Sequence, residues 1–127
     1  MSSAIGYGGD WNRWIVGDRF AVEWSPVAVR DLDLILDYVW LRDRREAADR
    51  LAEKILGAVE ALSHSPVRCR VVPELATIGI RDLREKIVGP YRAVFLLRER
   101  TVSIVALLDG RRNLAELLVE RATRELP

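Results

Sequence analysis

The sequence contains almost no residues that could bind a metal or form a disulfide. Cys69 is the only cysteine and His64 the only histidine among 127 residues. A single cysteine excludes an internal disulfide and a cysteine-rich zinc site, and a single histidine argues against a histidine-ligated metal. The longest apolar runs are far too short to span a bilayer, and the opening residues lack the basic-then-apolar pattern of a secretory leader. We therefore expect a cytoplasmic protein with no metal and no cofactor.

Length and composition are typical of one soluble domain. Half of the residues are hydrophobic and 31% are charged, and the chain is long enough for a single modest core. The net charge is only +1, but it is unevenly distributed. Residues 20–67 carry six basic and nine acidic side chains, whereas residues 68–112 carry ten basic and five acidic ones. This asymmetry favours an acidic or polyanionic partner on one side of the molecule.

The first residues predict an arm followed by a strand. Residues 1–19 contain four glycines and show no hydrophobic period, so we interpret them as an irregular arm. Residues 20–24 alternate between apolar and other side chains, which is typical of a strand. The folded domain is therefore expected to span 20–127.

Two helices are predicted next, connected by a short turn. Ser25 is a suitable N-cap and Pro26 a suitable first helical residue for the first of them. Asp43 and Glu46 form a plausible capping pair for the second, which ends at Pro66. Because the connection is short, the two helices should form an antiparallel hairpin.

The second half predicts strands joined by short turns. Apolar β-formers are interleaved with arginines there, and the turns contain glycine, proline or charged residues. Besides a short candidate strand at 70–72, the predicted elements are strands over 81–88, 91–98 and 101–108 and a last helix over 114–126. The order is β-α-α-β-β-β-α. It predicts an α+β fold with an antiparallel sheet packed against the helical hairpin.

A series of short motifs occurs in order along residues 22–121. They are Val22-Glu23-Trp24-Ser25-Pro26, Ile35-Leu36-Asp37-Tyr38, Ala47-Ala48, Pro73-Glu74-Leu75, Arg84-Glu85, Pro90-Tyr91-Arg92 and Leu107-Leu108-Asp109-Gly110-Arg111-Arg112-Asn113. In order and spacing the chain resembles the RelE/ParE superfamily of bacterial toxins from type II toxin–antitoxin systems. The last motif is similar to that of the ParE branch, which typically reads His-Gly-Arg-Arg-Asp. Asp109 departs from that histidine.

The resemblance implies one of two activities. RelE-like toxins cut messenger RNA on the ribosome, and Arg84, Lys86 and Arg92 would be the catalytic candidates for this reaction. Such cleavage needs a general acid and a general base. No tyrosine or histidine follows Tyr91 in the sequence, and arginine stays protonated. ParE-like toxins instead inhibit DNA gyrase by binding it, which needs no catalytic residue, so the residues favour the ParE-like activity. An inactive toxin fold that serves only as a binding module is a third hypothesis.

The resemblance also predicts two binding surfaces. The candidates for target binding are Arg84, Arg92, Arg111 and Arg112. Antitoxins of this superfamily wrap the helical hairpin and the sheet, so we expect a toxin–antitoxin hetero-oligomer with Trp40 and Tyr91 among the contacts. Each candidate has an alternative interpretation, because arginines that point outward from a sheet are often only solvated and an aromatic ring at such a position can simply pack on the core.

Overall fold

The computed structural model describes residues 19–110 and Glu116. The predicted arm, apart from Arg19, and the predicted last helix, apart from Glu116, lie outside the described residues, as do Arg111 and Arg112. Five strands and two long helices form an α+β arrangement in the described part. This arrangement confirms the predicted fold class.

A helical hairpin follows the first strand. The strand β1 (Ala21–Trp24) leads into α1 (Pro26–Arg42), and α2 (Arg45–Glu60) follows after a two-residue connection. At the start of α1 the Ser25 hydroxyl accepts a hydrogen bond from the Ala28 N–H at 3.1 Å. The predicted cap is therefore present and satisfies one of the unpaired donors of the first helical turn.

The cap predicted for the second helix is wrong. The N-cap residue of α2 is Arg44, whose side chain makes no capping hydrogen bond. Asp43 instead ends α1, where its N–H donates to the Val39 carbonyl at 2.8 Å. The connection between the helices is so short that Asp43 is used as the C-cap of the first helix.

Short turns carry the chain from the hairpin to the sheet. Single 3-10 turns at Ala61–Ser63 and Pro66–Arg68 precede β2 (Arg70–Val71) and the one-turn helix α3 (Pro73–Ala76). The sequence predicts only the end of a strand at Pro73. Proline also suits the first helical position, because its missing N–H would have no intrahelical partner there.

Three longer strands complete the sheet. They are β3 (Leu83–Val88), β4 (Tyr91–Arg98) and β5 (Thr101–Asp109), and the spatial order is β1-β5-β4-β3-β2. Neighbouring strands are antiparallel except β1 and β5, which are parallel. The sheet is therefore mixed at one edge, whereas the sequence predicts an antiparallel sheet. The sequence does not reveal the difference, because the local pattern that identifies a strand does not specify the direction of its partner.

Each face of the sheet carries a buried apolar cluster. On the hairpin face, α1 and α2 pack on the strands through Ala28, Leu32, Ile55, Val59, Leu62, Val88, Ala93, Phe95, Val102, Ile104 and Leu107. The opposite face, here called the α3 face, carries a smaller cluster of Val72, Leu75, Val94, Ala106 and Leu108. The register between β4 and β5 shifts by one residue, with Val94 opposite Ala106 and Phe95 opposite Ile104. Val105 is therefore the extra residue of a β-bulge.

A buried carboxylate joins the hairpin to the last strand. Asp31 of α1 is 9% exposed, and its Oδ2 accepts the backbone N–H of Leu107 at 2.9 Å. Leu107 lies two residues after the bulge at Val105, where the ladder between β4 and β5 is irregular. The contact ties α1 to the end of β5 through a polar group that would be costly to leave unpaired.

Candidate functional site

Arg92 lies inside the protein, on the α3 face of the sheet. It is opposite Ile87 of β3 and only 6% exposed. Its Nη1 and Nη2 donate to the two carboxylate oxygens of Glu74, each at 2.7 Å. Its Nε donates to Oε1 of Glu85, also at 2.7 Å. Both sides of the planar guanidinium are thus occupied by carboxylates, with a bidentate pair on one of them.

Glu85 is the second buried member of this group. Its side chain is completely inaccessible to solvent, and its other oxygen, Oε2, accepts a hydrogen bond from Nε of Arg70. Strand register explains the contacts, because Arg70 is directly opposite Glu85 and Arg92 lies diagonally from it. We call Glu74, Arg92, Glu85 and Arg70 the Arg92 network. Its two positive and two negative charges balance.

The network shifts the ionisation of its members in the directions that its contacts require. Hydrogen bonds from Arg92 are the main reason that the pKa of Glu74 falls from 4.5 to about 2, although partial burial opposes the shift. Hydrogen bonds to Glu74 and then Glu85 raise the pKa of Arg92 further above its ordinary value, against the effect of burial. Both groups are therefore charged at neutral pH.

Arg92 is not one of the outward-pointing, solvated arginines of the alternative interpretation, because it is buried. The sequence contains a signal for the burial of Arg92, because Glu85 and Arg92 lie in the two strands on either side of the turn at Gly89–Pro90. A two-residue turn that pairs Val88 with Tyr91 puts Glu85 and Arg92 on one face of the sheet. The contribution of Glu74 comes from α3, a helix that the sequence does not predict.

The end of β5 rests on the same arginine. The Gly110 N–H donates to the Pro90 carbonyl at 2.7 Å. A Cβ built on Gly110 would lie 3.1 Å from the Pro90 oxygen and 3.5 and 3.6 Å from Cγ and Cδ of Arg92. Gly110 is not among the described residues with positive φ. Close approach, and not backbone conformation, therefore favours glycine here.

The other two basic candidates lie on the hairpin face. Arg84 is opposite Phe95 and Lys86 is opposite Ala93, and both of those partners belong to the hairpin-face core. Arg84 is half-buried, and its Nη1 donates to the carbonyls of Cys69 at 2.7 Å and Val67 at 3.2 Å. Lys86 is also half-buried. The sheet therefore separates these two side chains from Arg92.

Cys69 lies close enough to these two basic groups to be affected by their charges. Partial burial is the main influence and raises the pKa of the Cys69 thiol. The positive charges of Lys86 and Arg84 act in the opposite direction without reversing the shift. The thiol therefore remains protonated at neutral pH.

The predicted antitoxin contacts differ in exposure. Tyr91 is half-buried and packs against the hairpin-face core. Trp40 is 54% exposed near the end of α1, where the Arg45 guanidinium carbon lies 5.9 Å from a ring centroid. Two residues before Trp40, the Tyr38 ring is covered by the Arg42 guanidinium, whose carbon lies 5.3 Å from the ring centroid. Exposed aromatic rings flanked by arginines suit a peptide with apolar and acidic side chains.

Other kinds of site are not found in the described part of the chain. Among residues 19–110 and Glu116, no group of three or more histidine, cysteine, aspartate or glutamate side chains could hold a metal ion. No helix within these residues is long and apolar enough to cross a membrane.

Comparison with known proteins gives a consistent answer. The family model for the ParE toxin of type II toxin–antitoxin systems, parDE, matches residues 22–114. A chain from the solved structure of the chromosomal ParDE TA system from P. aeruginosa has a similar fold. It has a TM-score of 0.62 and 19% identity, and the alignment covers 73% of this chain and 98% of that one. No curated protein matches the sequence. Because the family model matches most of the chain, the protein belongs to the ParE toxin family of type II toxin–antitoxin systems.

Proposed function

We propose that this toxin arrests bacterial growth by binding DNA gyrase and that it does not cut messenger RNA. One observation carries the proposal. The three basic side chains that a RelE-like reaction would use do not converge, because Arg84 and Lys86 lie on the hairpin face and Arg92 lies on the α3 face. A phosphate in the cleavage reaction would need several cationic groups around the same oxygens.

The surroundings of Arg92 argue further against a phosphate site. Its guanidinium already pairs with Glu74 and Glu85, and its side chain is 7% exposed. An incoming phosphate would have to displace a carboxylate, and the remaining negative charge would repel it. Arginine is also unable to supply or accept the catalytic proton. Inhibition through binding requires neither step.

The proposed contacts with gyrase are Arg111 and Arg112, which directly follow Gly110. They belong to the most basic part of the sequence and suit an acidic protein surface. Arg84 is a secondary candidate, because its contacts with the Cys69 and Val67 carbonyls occupy only one of its terminal nitrogens. Arg92 is assigned to the interior and not to the contact itself.

As a type II toxin, the protein has an antitoxin as its partner. We propose that the antitoxin contacts Trp40 and Tyr91 and forms a hetero-oligomer with the toxin. The exposed side of α1 supports this assignment, because Leu34, Tyr38 and Leu41 recur at helical spacing and are each more than half exposed. An amphipathic segment that folds on binding could cover such a surface. Gyrase and an intracellular antitoxin would both place its action in the cytoplasm.

Two assays with purified toxin test the proposed target. The first measures supercoiling of relaxed plasmid by gyrase, and the second measures cleavage of messenger RNA on programmed ribosomes. We expect inhibition in the first and intact message in the second, and added antitoxin should reverse the inhibition. Message that is cut at positioned codons would instead assign the RelE-like activity.

The matched variants compare two pairs of arginines. Arg111→Ala/Arg112→Ala should weaken gyrase inhibition at least about tenfold, because arginines are frequent binding hot spots. Arg68→Ala/Arg98→Ala removes the same charge from two exposed positions and should leave inhibition unchanged. Equal losses in the two variants would show that total charge, and not the pair after Gly110, determines binding.

A further inference from the structure

Arg70 differs from the other members of the Arg92 network because most of its side chain is in solvent. The side chain is 59% exposed, whereas that of Glu85, directly opposite in the sheet, is completely inaccessible. Nε of Arg70 donates to Oε2 of Glu85, and this is the one hydrogen bond that its side chain makes within residues 19–110 and Glu116. The terminal nitrogens of Arg70, Nη1 and Nη2, therefore have no hydrogen-bond acceptor in that part of the chain.

The inner side of the Arg70 guanidinium is fixed by a carboxylate that is itself held in place. Glu85 is buried in β3, and its other oxygen accepts a hydrogen bond from Nε of Arg92. A guanidinium is planar and rigid, so a hydrogen bond at Nε also sets the direction of the terminal nitrogens. Exposed arginines usually lose side-chain freedom when they bind a partner, and this loss is smaller for Arg70 because it is already oriented.

An exposed apolar side chain lies beside Arg70 on the same face of the sheet. Ile87 follows Glu85 by two residues in β3, so both lie on the α3 face, and Ile87 is 48% exposed. Because Arg70 is directly opposite Glu85, Ile87 is its diagonal neighbour, roughly 7–8 Å away. Arginine is enriched at protein interfaces, where apolar neighbours exclude water from its contacts.

From this geometry we propose that Arg70 and Ile87 form a contact surface for gyrase, in which the terminal nitrogens of Arg70 bind one carboxylate of the target as a bidentate pair. A nucleic acid is a poorer match, because binding to its backbone needs several cations and the neighbouring Arg92 is buried and already paired. The inference rests on the proposed inhibition of gyrase and adds to it a contact on the α3 face. It also gives a use to the buried pair of Glu85 and Arg92, since well-packed apolar residues could replace such a pair without loss of stability.

Arg70→Lys is the deciding variant. Lysine keeps a positive charge beside Glu85, so the fold should persist, but its ammonium group lacks the rigid fork that holds two outward donors in a fixed direction. We expect gyrase inhibition and growth arrest to weaken at least about tenfold, as they should for Arg70→Ala. Inhibition is compared at equal concentrations of folded protein, as judged by circular dichroism. A lysine variant that inhibits like the wild type would overturn the inference, because charge alone would then be sufficient.

Arg68 provides a matched control two residues earlier. It is exposed, and no carboxylate holds its side chain in the described part of the chain. Arg68→Lys and Arg68→Ala should both leave inhibition unchanged. Equal losses at positions 68 and 70 would overturn the inference, because the oriented guanidinium would then have no special role.

Ile87→Ala tests the apolar part of the surface. We expect inhibition to weaken by about threefold to tenfold, because the substitution removes apolar area that the contact would bury. Leu56→Ala is the control, since Leu56 is similarly exposed, at 45%, but belongs to α2 of the hairpin, and it should keep full inhibition. Full inhibition by Ile87→Ala would contradict the proposed surface.

Growth arrest and binding of messenger RNA are measured for the same variants, because they separate failure of the target from failure of the contact. A wild-type toxin that arrests growth without inhibiting gyrase would refute the proposed target. Growth arrest would then still test the contact, which a loss at position 70 but not at 68 would support and full arrest by Arg70→Lys would refute. If Arg70→Ala lost binding of messenger RNA while gyrase inhibition stayed unchanged, the guanidinium would bind phosphate, and the inference would be overturned.

Discussion

Replacing Arg92 by methionine should destabilise the protein strongly. Methionine keeps much of the volume of the aliphatic stem but removes the charge. Glu85, which is completely buried, then keeps only Arg70 as a partner, and Glu74 loses both of its bonds to Arg92. Removing one partner of a buried ion pair typically costs about 3–5 kcal/mol. Domains of this size are stable by roughly 5–15 kcal/mol, so the variant should remain folded but lose a large part of its stability.

A second substitution should restore part of the loss. In Arg92→Met/Glu85→Leu the buried carboxylate is absent as well, and Arg70 is left on the surface, where its side chain is 59% exposed. The two losses should therefore fail to add, with a coupling of about 1–3 kcal/mol. The coupling arises because the double variant no longer contains a buried carboxylate that has lost its bond to Arg92.

Urea unfolding of the four proteins in this cycle measures both quantities. The midpoints should differ while the denaturant slope stays constant, as expected when only stability changes. Arg68→Met is the control, because this exposed arginine has the same chemistry and should change stability within roughly 0.5 kcal/mol. A cost below about 1 kcal/mol for Arg92→Met would refute the reasoning. Arg92 would then not be committed to the interior, and its availability for phosphate would have to be reconsidered.

Two further predictions concern other carboxylates. Asp31→Ala should lower the free energy of unfolding in urea by about 1–3 kcal/mol, because it leaves the Leu107 N–H without its acceptor. The control Asp33→Ala, on the exposed side of α1, should change it by no more than roughly 0.5 kcal/mol. Similar values for the two variants would contradict the contact between Asp31 and Leu107. Because the pKa of Glu74 is lowered from 4.5 to about 2, its charge stabilises the fold above pH 4.5, and the contribution is lost as pH falls from there towards 2. The difference in unfolding free energy between the wild type and Glu74→Gln should therefore be constant near neutral pH and shrink over this acidic range. A difference that stays constant down to pH 2 would contradict the pairing of Glu74 with Arg92.

Local signals were sufficient to predict most of the elements. The cap at Ser25–Pro26 and the apolar spacing after it located α1, and the alternation around the turn at 99–100 located β4 and β5. These signals are local because a cap needs only three residues and a hairpin needs only its turn and flanking strands. The parallel pairing of β1 with β5 joins residues about 80 positions apart, and no local pattern specifies it.

The candidate site was predicted less well for the same reason. The arginines after the helical hairpin could be identified from composition, but burial of Arg92 depends on Glu74, which reaches it from a four-residue helix. Proline at position 73 was compatible with either a strand end or a helix start. Only Glu85 indicated in the sequence that Arg92 would be paired. It is a charged residue in the neighbouring strand, on the same face of the sheet as Arg92, and such a residue indicates a cross-strand partner.

We propose that this toxin acts by binding gyrase and not by cutting messenger RNA. It is tested most directly by adding increasing amounts of purified toxin to gyrase and, in parallel, to programmed ribosomes that carry labelled messenger RNA. We expect a dose-dependent loss of supercoiling that antitoxin reverses, with the messenger RNA intact at every dose. Arg111→Ala/Arg112→Ala should weaken this inhibition at least about tenfold. Codon-positioned cleavage of the message, with supercoiling unaffected, would contradict it.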